Sequence, residues 1–170
     1  MVTADHGEFL GEHDQVGHIA RMLYEPVLHV PLVVKPPGAA QPPARIDRPV
    51  QLVDVLPTVL QTVGAPIPPG VQGQPLLDAD HALLAEEDIN PFLVARYGAL
   101  YDRAIRVLYE PPYKLITTSR GQRMLFDLTR DPGESQDLSA TEPAVLDRMA
   151  QRLEASMSTM VAAAPGRQVN

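Results

Sequence analysis

Residues 1–13 read Met1-Val2-Thr3-Ala4-Asp5-His6-Gly7-Glu8-Phe9-Leu10-Gly11-Glu12-His13, and the step from Ala4 to Asp5 decides how the rest is placed. Met1–Ala4 reads as the end of a buried strand that passes directly into a carboxylate and an imidazole. At the carboxyl end of a strand in an open α/β sheet, such a loop lies where these sheets bind ligands. A hard divalent cation takes carboxylate oxygen and accepts imidazole nitrogen, and Gly7 lets the chain turn so that both side chains can face one point. The same triplet also reads as an ordinary turn in which Asp5 caps its own backbone. Domains usually begin with a frayed polar lead, so this start leads us to expect further residues upstream of Met1.

Around this point the charge is uneven. The 170 residues carry 14 basic and 21 acidic side chains, net −7; residues 1–88 hold 4 and 12, and residues 89–170 hold 10 and 9. An acidic first half excludes a nucleic-acid binder, which needs cationic surface, and suits cation binding. Asp5, Glu8, Glu12 and Asp14 stand close to His6, His13 and His18 without apolar periodicity. They therefore belong to a ligand loop or to a solvated acidic one, not to a core. The chain has no Cys, which excludes disulfides, thiolate metal sites and a Cys nucleophile within it. No stretch approaches the roughly 20 apolar residues of a membrane span, and no basic-then-apolar leader opens the sequence.

Outward from the loop, residues 19–25 read as a short helix. His29-Val30-Pro31-Leu32-Val33-Val34-Lys35 reads as a strand buried on both faces, the pattern of a parallel sheet. Val53, Leu56, Val59, Leu60 and Val63 recur at helical spacing, with Asp54 as N-cap, Pro57 in the first turn and Gly64 just past the end. Residues 65–88, rich in Pro and Gly and then helix-like and polar, read as a surface crossing. Asn90–Tyr97, Arg103–Tyr109, Tyr113–Thr118 and Arg123–Leu128 read as strands of an antiparallel sheet with one wet face, turning at Glu110-Pro111-Pro112 and Ser119-Arg120-Gly121. A helix opening at Thr141 and Pro143 presents Val145, Leu146, Met149, Leu153, Met157 and Met160 on one stripe.

Other chemistry-bearing residues have plainer readings. His29 and His81 fit structural or exposed roles, and Lys35 a solvated strand end. Arg103, Arg106, Lys114, Arg120 and Arg123 fit the wet face of the sheet. Asp131-Pro132-Gly133-Glu134 fits a turn, and no serine has the surroundings of a nucleophile elbow.

Residues 3–13, then Gly17-His18, Leu23-Tyr24-Glu25 and Val30–Val34, resemble the C-terminal half of a sulfatase-family enzyme of the alkaline phosphatase superfamily. The likeness continues in order through Val53–Thr58, Gly70–Gly73, Tyr113-Lys114-Leu115-Ile116, Leu125–Leu128 and Asp131–Glu134. It implies an α/β fold: residues 1–88 end an alkaline-phosphatase-like mixed or parallel sheet domain, and residues 89–170 form a small antiparallel-sheet subdomain with a packed C-terminal helix. It implies further that Asp5 and His6 are metal ligands, usually to calcium. His18 would contact the sulfate or the leaving-group oxygen as the catalytic residue here, and His13 would line the substrate pocket. The substrate would be a small-molecule or saccharide sulfate ester.

In this family the nucleophile is a formylglycine made from Cys or Ser in a Cys/Ser-x-Pro/Ala-x-Arg motif, and no such motif occurs here. We therefore expect the nucleophile and the remaining metal ligands upstream, a fragment without turnover by itself, and an exposed apolar sheet edge between Met1–Ala4 and Val30–Val34. The alternatives are a phosphodiesterase or phosphonate monoester hydrolase of the same superfamily, and a non-catalytic truncated remnant.

Overall fold

The computed structural model describes residues 1–19, 21–38 and 45–159. The chain begins with β1 (Val2–Thr3), followed by a tight hairpin of β2 (Phe9–Leu10) and β3 (Val16–Gly17). The short helix α1 (Glu25–Leu28) leads into β4 (Leu32–Val33), which pairs with β1. That pairing is antiparallel, Val2 opposite Val33 and Thr3 opposite Leu32, where the unbroken apolar run suggested a parallel strand covered on both sides. Among the described residues nothing covers this ribbon, and Val2 and Val33 are 69% and 62% exposed. The two segments expected to leave an apolar edge between them pair directly with each other instead, and the exposed apolar surface is Val2 and Val33, opposite each other in the ribbon. The short helix also begins later than its sequence suggested, at Glu25, with Pro26 in its first turn.

A 3₁₀ turn at Leu52–Asp54 runs into α2 (Val55–Thr62). Asp54 does not cap α2 directly. It closes a capping box in which Gln51 N–H donates to Asp54 Oδ2 (3.1 Å), while Oδ1 accepts from Gln74 N–H (3.0 Å) and meets His81 Nε2 at 2.8 Å. Asp54 is fully buried, so these partners offset its desolvation. Gly73 lies flat on the Val53 carbonyl, where an added Cβ would stand 2.1 Å from the oxygen. Gly64 ends the helix at φ 71°, as the sequence suggested.

Next come β5 (Leu83–Glu87), α3 (Pro91–Tyr97), β6 (Ile105–Glu110), β7 (Tyr113–Thr118), β8 (Arg123–Asp127) and α4 (Pro143–Thr159). The sheet order is β5-β6-β7-β8, all antiparallel. Two local readings fail here. Asn90–Tyr97 is not a strand: the Asn90 side chain accepts from the N–H groups of Phe92 and Leu93 and Pro91 sits in the first turn, which starts a helix. The fourth strand is instead Leu83–Glu87, inside the stretch read as a polar crossing, and it is recruited by pairing with β6.

The sheet is not wet on one face. Leu108, Leu115 and Leu125 pack against Leu146, Met149 and Leu153 of α4. On the other face Val107, Ile116 and Phe126 pack against Phe9, Leu23 and Val27, from the segment that carries the loop histidines. Each fully buried large apolar side chain contributes about 1.5–3 kcal/mol. Met160, assigned to the α4 stripe, lies outside the described residues. No helix among the described residues is long and apolar enough to cross a membrane.

Candidate functional site

The β2–β3 hairpin doubles the chain back so that His18 returns to the strand end that bears Asp5 and His6. The rings of His6 and His18 lie 4.7 Å apart, centroid to centroid. His6 Nδ1 is 2.8 Å from the Gly7 carbonyl oxygen. A carbonyl only accepts, so Nδ1 carries the proton and Nε2 keeps a free lone pair. That Nε2 stands 3.8 Å from Asp5 Oδ2, in a carboxylate that is almost wholly exposed. His18 Nδ1 lies 3.2 Å from Glu8 Oε1, which adds an acidic residue to the cluster.

Gly7 serves this geometry differently from the sharp turn its sequence suggested. Its N–H donates to the Val27 carbonyl (2.9 Å), and a Cβ there would stand 2.0 Å from the Pro26 oxygen. The loop therefore rests directly on the backbone of α1.

His13 is held elsewhere. At φ 52° within a 3₁₀ turn, its ring stacks on Tyr24 with centroids 3.7 Å apart and planes 6° from parallel, and Tyr24 meets Phe126 edge-on. Burial lowers its pKa, against a hydrogen bond to the Gly133 carbonyl. Among the described residues no direct contact links His13 to His6 or His18.

Sequence reading missed the largest ionic feature. Lys114 is not on a wet face; it is fully buried, 2.9 Å from Glu25 Oε1 and 2.7 Å from Glu134 Oε1. It faces α1 because the 9–28 segment covers that side of the sheet. The Tyr109 hydroxyl also donates to Glu25, and Glu25 N–H donates to Glu134 Oε2 (2.6 Å). Burial pushes the Glu134 carboxyl up, opposed chiefly by Lys114; burial and then Glu25 keep the Tyr109 phenol protonated. Residues 131–134 do form the expected turn, with Glu134 N–H donating to the Asp131 carbonyl (3.1 Å). The turn thus delivers a carboxylate to the underside of α1. All three ionic partners stand in the quoted stretches Leu23-Tyr24-Glu25, Tyr113–Ile116 and Asp131–Glu134, but nothing local marked them as one cluster.

His81 is structural, as expected. Burial opposes its charge, yet the Ala82 carbonyl and the Asp54 carboxylate together hold its pKa above the ordinary value.

Chemically, the loop offers one carboxylate oxygen and one lone-pair nitrogen close enough to serve a single cation, with a second imidazole alongside. Among the described residues no group of three or more His, Cys, Asp or Glu is placed to hold a metal ion, so Asp5 and His6 do not by themselves complete a cation site.

A histidine-bearing loop seated on a short helix, above a four-stranded antiparallel sheet backed by a long helix, is the fold of a sulfatase-type hydrolase in its C-terminal region. Residues 11–162 match the family model for the C-terminal region of N-sulphoglucosamine sulphohydrolase. Arylsulfatase K of Bos taurus is 32% identical over 162 residues, covering 90% of this chain and 29% of that protein. The chain belongs to the sulfatase family, and it spans less than a third of the length of such relatives. In fold it is similar to the phosphonate monoester hydrolase of Agrobacterium radiobacter (TM-score 0.73, 23% identity, 94% of this chain and 34% of that one). It is also similar to a 2-O GAG sulfatase (TM-score 0.67, 23% identity, 95% and 38%).

Proposed function

We propose that this chain supplies one side of the active site of a metal-dependent sulfuric ester hydrolase. Residues 1–88 end the catalytic domain and residues 89–170 form the subdomain behind it. The observation that carries the reading is the bare His6 Nε2 beside Asp5 Oδ2, with the His18 ring next to them. Asp5 and His6 would hold a divalent cation, calcium by the family resemblance. Such a cation offsets charge on the oxygens of the transferred group.

His18 does the proton work. With Nδ1–H donated to Glu8, Nε2 is left to face the departing ester oxygen, and it gives up a proton there from the doubly protonated ring. Glu8 fixes which ring nitrogen meets the substrate, an orienting role. His13, fixed on Tyr24, would line the pocket further out. The nucleophile, formylglycine by the resemblance, would come from polypeptide outside this chain, so these residues bind and donate but do not hydrolyse alone. A saccharide sulfate ester fits the names of the family model and of the GAG sulfatase neighbour.

The test uses the polypeptide that joins this segment to its upstream sequence. Titrated with calcium by calorimetry, Asp5→Ala and His6→Ala should each weaken affinity by about tenfold or more, since each removes a ligand. Unchanged affinity refutes the assignment. Faster turnover of an aryl phosphonate than of an aryl sulfate would select the phosphonate monoester hydrolase reading, which the fold neighbour in Agrobacterium radiobacter favours.

A further inference from the structure

Three residues past His18 the chain enters a cleft of about 530 Å³, within the size range of small-molecule sites. It is lined by Arg21 and Met22 beyond the site loop, by Tyr97 at the end of α3, by Leu100 and Arg103 after it, and by Arg120 in the β7–β8 turn. The two parts touch directly, the Tyr101 hydroxyl donating to the Ile19 carbonyl at 3.4 Å.

The three guanidinium groups are differently employed. Arg120 is neutralised by Asp102, with Nη2 2.5 Å from Oδ2. Among the described residues the Arg21 guanidinium is held only by an uncharged group, the Asp14 carbonyl, at 2.6 Å. Arg103 makes no side-chain hydrogen bond and no ion pair among the described residues, and its Nε is buried without a partner. Glu87 favours the charged form of Arg103 against burial, and Arg103 in turn opposes the burial that pushes the Glu87 carboxyl up. Orphaned buried donors are rare in folded proteins; the Arg103 Nε is closed off from water, so the part of the guanidinium that the cleft can offer an acceptor is its two Nη groups, which no carboxylate engages among the described residues. A guanidinium presents a planar fork that matches carboxylate and sulfate oxygens in pairs. Tyr97 and Leu100, 45% and 59% exposed, add apolar surface of the kind that covers the C–H face of a sugar ring.

We propose that this cleft binds a second oxyanionic group, carboxylate or sulfate, on the saccharide whose ester lies at His18, with Arg103 and Arg21 as its anchors. The inference rests on the sulfatase reading and makes it specific: the substrate is a polyanionic sugar, not an isolated aryl or alkyl sulfate.

The experiment is a titration of the 170-residue chain, followed by tyrosine fluorescence. The probes are an unsulfated uronate tetrasaccharide, its carboxyl-reduced neutral counterpart, and a neutral-backbone tetrasaccharide carrying one sulfate. The acidic probes should bind about tenfold or more tightly than the neutral one, and Arg103→Gln should remove that preference by deleting the fork. Arg103→Lys keeps the charge without the fork and should fall between. Whichever acidic probe loses more affinity on substitution identifies the oxyanion. If Arg103→Gln does not fold, Arg21→Gln carries the same test, because that guanidinium is tied only to a carbonyl. Equal binding of acidic and neutral probes, or a preference that survives both substitutions, overturns the proposal. Ester hydrolysis by the joined enzyme is scored separately. Hydrolysis with an indifferent cleft refutes this inference alone, and a selective cleft without hydrolysis refutes the sulfatase reading alone.

Discussion

Replacing Lys114 by Met tests whether the buried ion cluster ties α1, and the loop that rests on it, to the sheet. The lysine side chain is completely buried and serves two carboxylates, Glu25 at 2.9 Å and Glu134 at 2.7 Å, the second also completely buried. Methionine fills similar volume, so the change removes charge and leaves packing nearly intact. Removing one partner of a buried ion pair costs about 3–5 kcal/mol, because the other charge is left uncompensated. Each carboxylate here keeps one donor, the Tyr109 hydroxyl for Glu25 and the Glu25 N–H for Glu134, which places the loss at about 3 kcal/mol, the low end of that range. With a urea dependence of about 2 kcal/mol per molar, the unfolding midpoint should fall by about 1.5 M.

The loss should also depend on pH. Glu134 already has a folded-state pKa above its ordinary value, and removing Lys114 deletes the main influence opposing that rise. A carboxyl raised in this way contributes stability that is complete below its unfolded pKa and is lost as pH rises through its folded one. The gap between parent and Lys114→Met should therefore narrow as pH is lowered from 8 towards the unfolded carboxyl pKa of about 4.3. The double variant Lys114→Met, Glu134→Gln should recover more than half of the loss at pH 8. Urea titrations by far-UV circular dichroism read all three quantities. A loss below about 1 kcal/mol, a gap that ignores pH, or no recovery in the double variant would each refute the reasoning, since a merely apolar substitution of matched volume costs about that little.

Two further outcomes follow from the close contacts at Gly7 and His81. Gly7→Ala drives a methyl group against the Pro26 oxygen, so it should cost about 1–3 kcal/mol in chemical denaturation and weaken calcium binding at Asp5 and His6 in the joined enzyme; a silent substitution would mean the loop does not rest on α1. His81 has a raised folded-state pKa, so its contribution is complete below the unfolded value of about 6.5 and is lost as pH rises through the folded one. His81→Gln should flatten the fall in thermal midpoint between pH 6 and 8, and an unchanged slope would remove His81 from that role.

What was legible in the sequence was what is decided within a few residues. Tyr113–Thr118 is bounded by its turns and appears as the strand the alternation indicated, and the stripe through Leu146, Met149 and Leu153 buries as a helix face should. Asn90–Tyr97 was also decided locally, but by the Asn-Pro start signal and not by the alternation that followed it. Lys114 shows the opposite limit. Its neighbours in β7 cannot reveal that residues 9–28 cover that face, because its partner Glu25 lies 89 positions away. Leu83–Glu87 likewise becomes a strand only because β6 offers it a partner. In the candidate site, Asp5, His6 and His18 are close in sequence and close in space. Arg21 and Arg103 are not, and their common cleft exists only after the segment beyond α3 folds back over the loop.

The cluster of Phe9, His13, Tyr24 and Phe126 makes the hairpin a plug in the main apolar interior. Lengthening the turn at Glu12–Asp14 would therefore withdraw Phe9 or unseat His13 and expose the sheet beneath, a stability cost that falls on any variant regardless of its substrate. New specificities have an easier route through the exposed segment around Tyr97 and Leu100, where substitutions leave the plug in place. In descendants of this chain, the hairpin should drift slowly and in step with the sheet, while the exposed positions around Tyr97 and Leu100 change more readily.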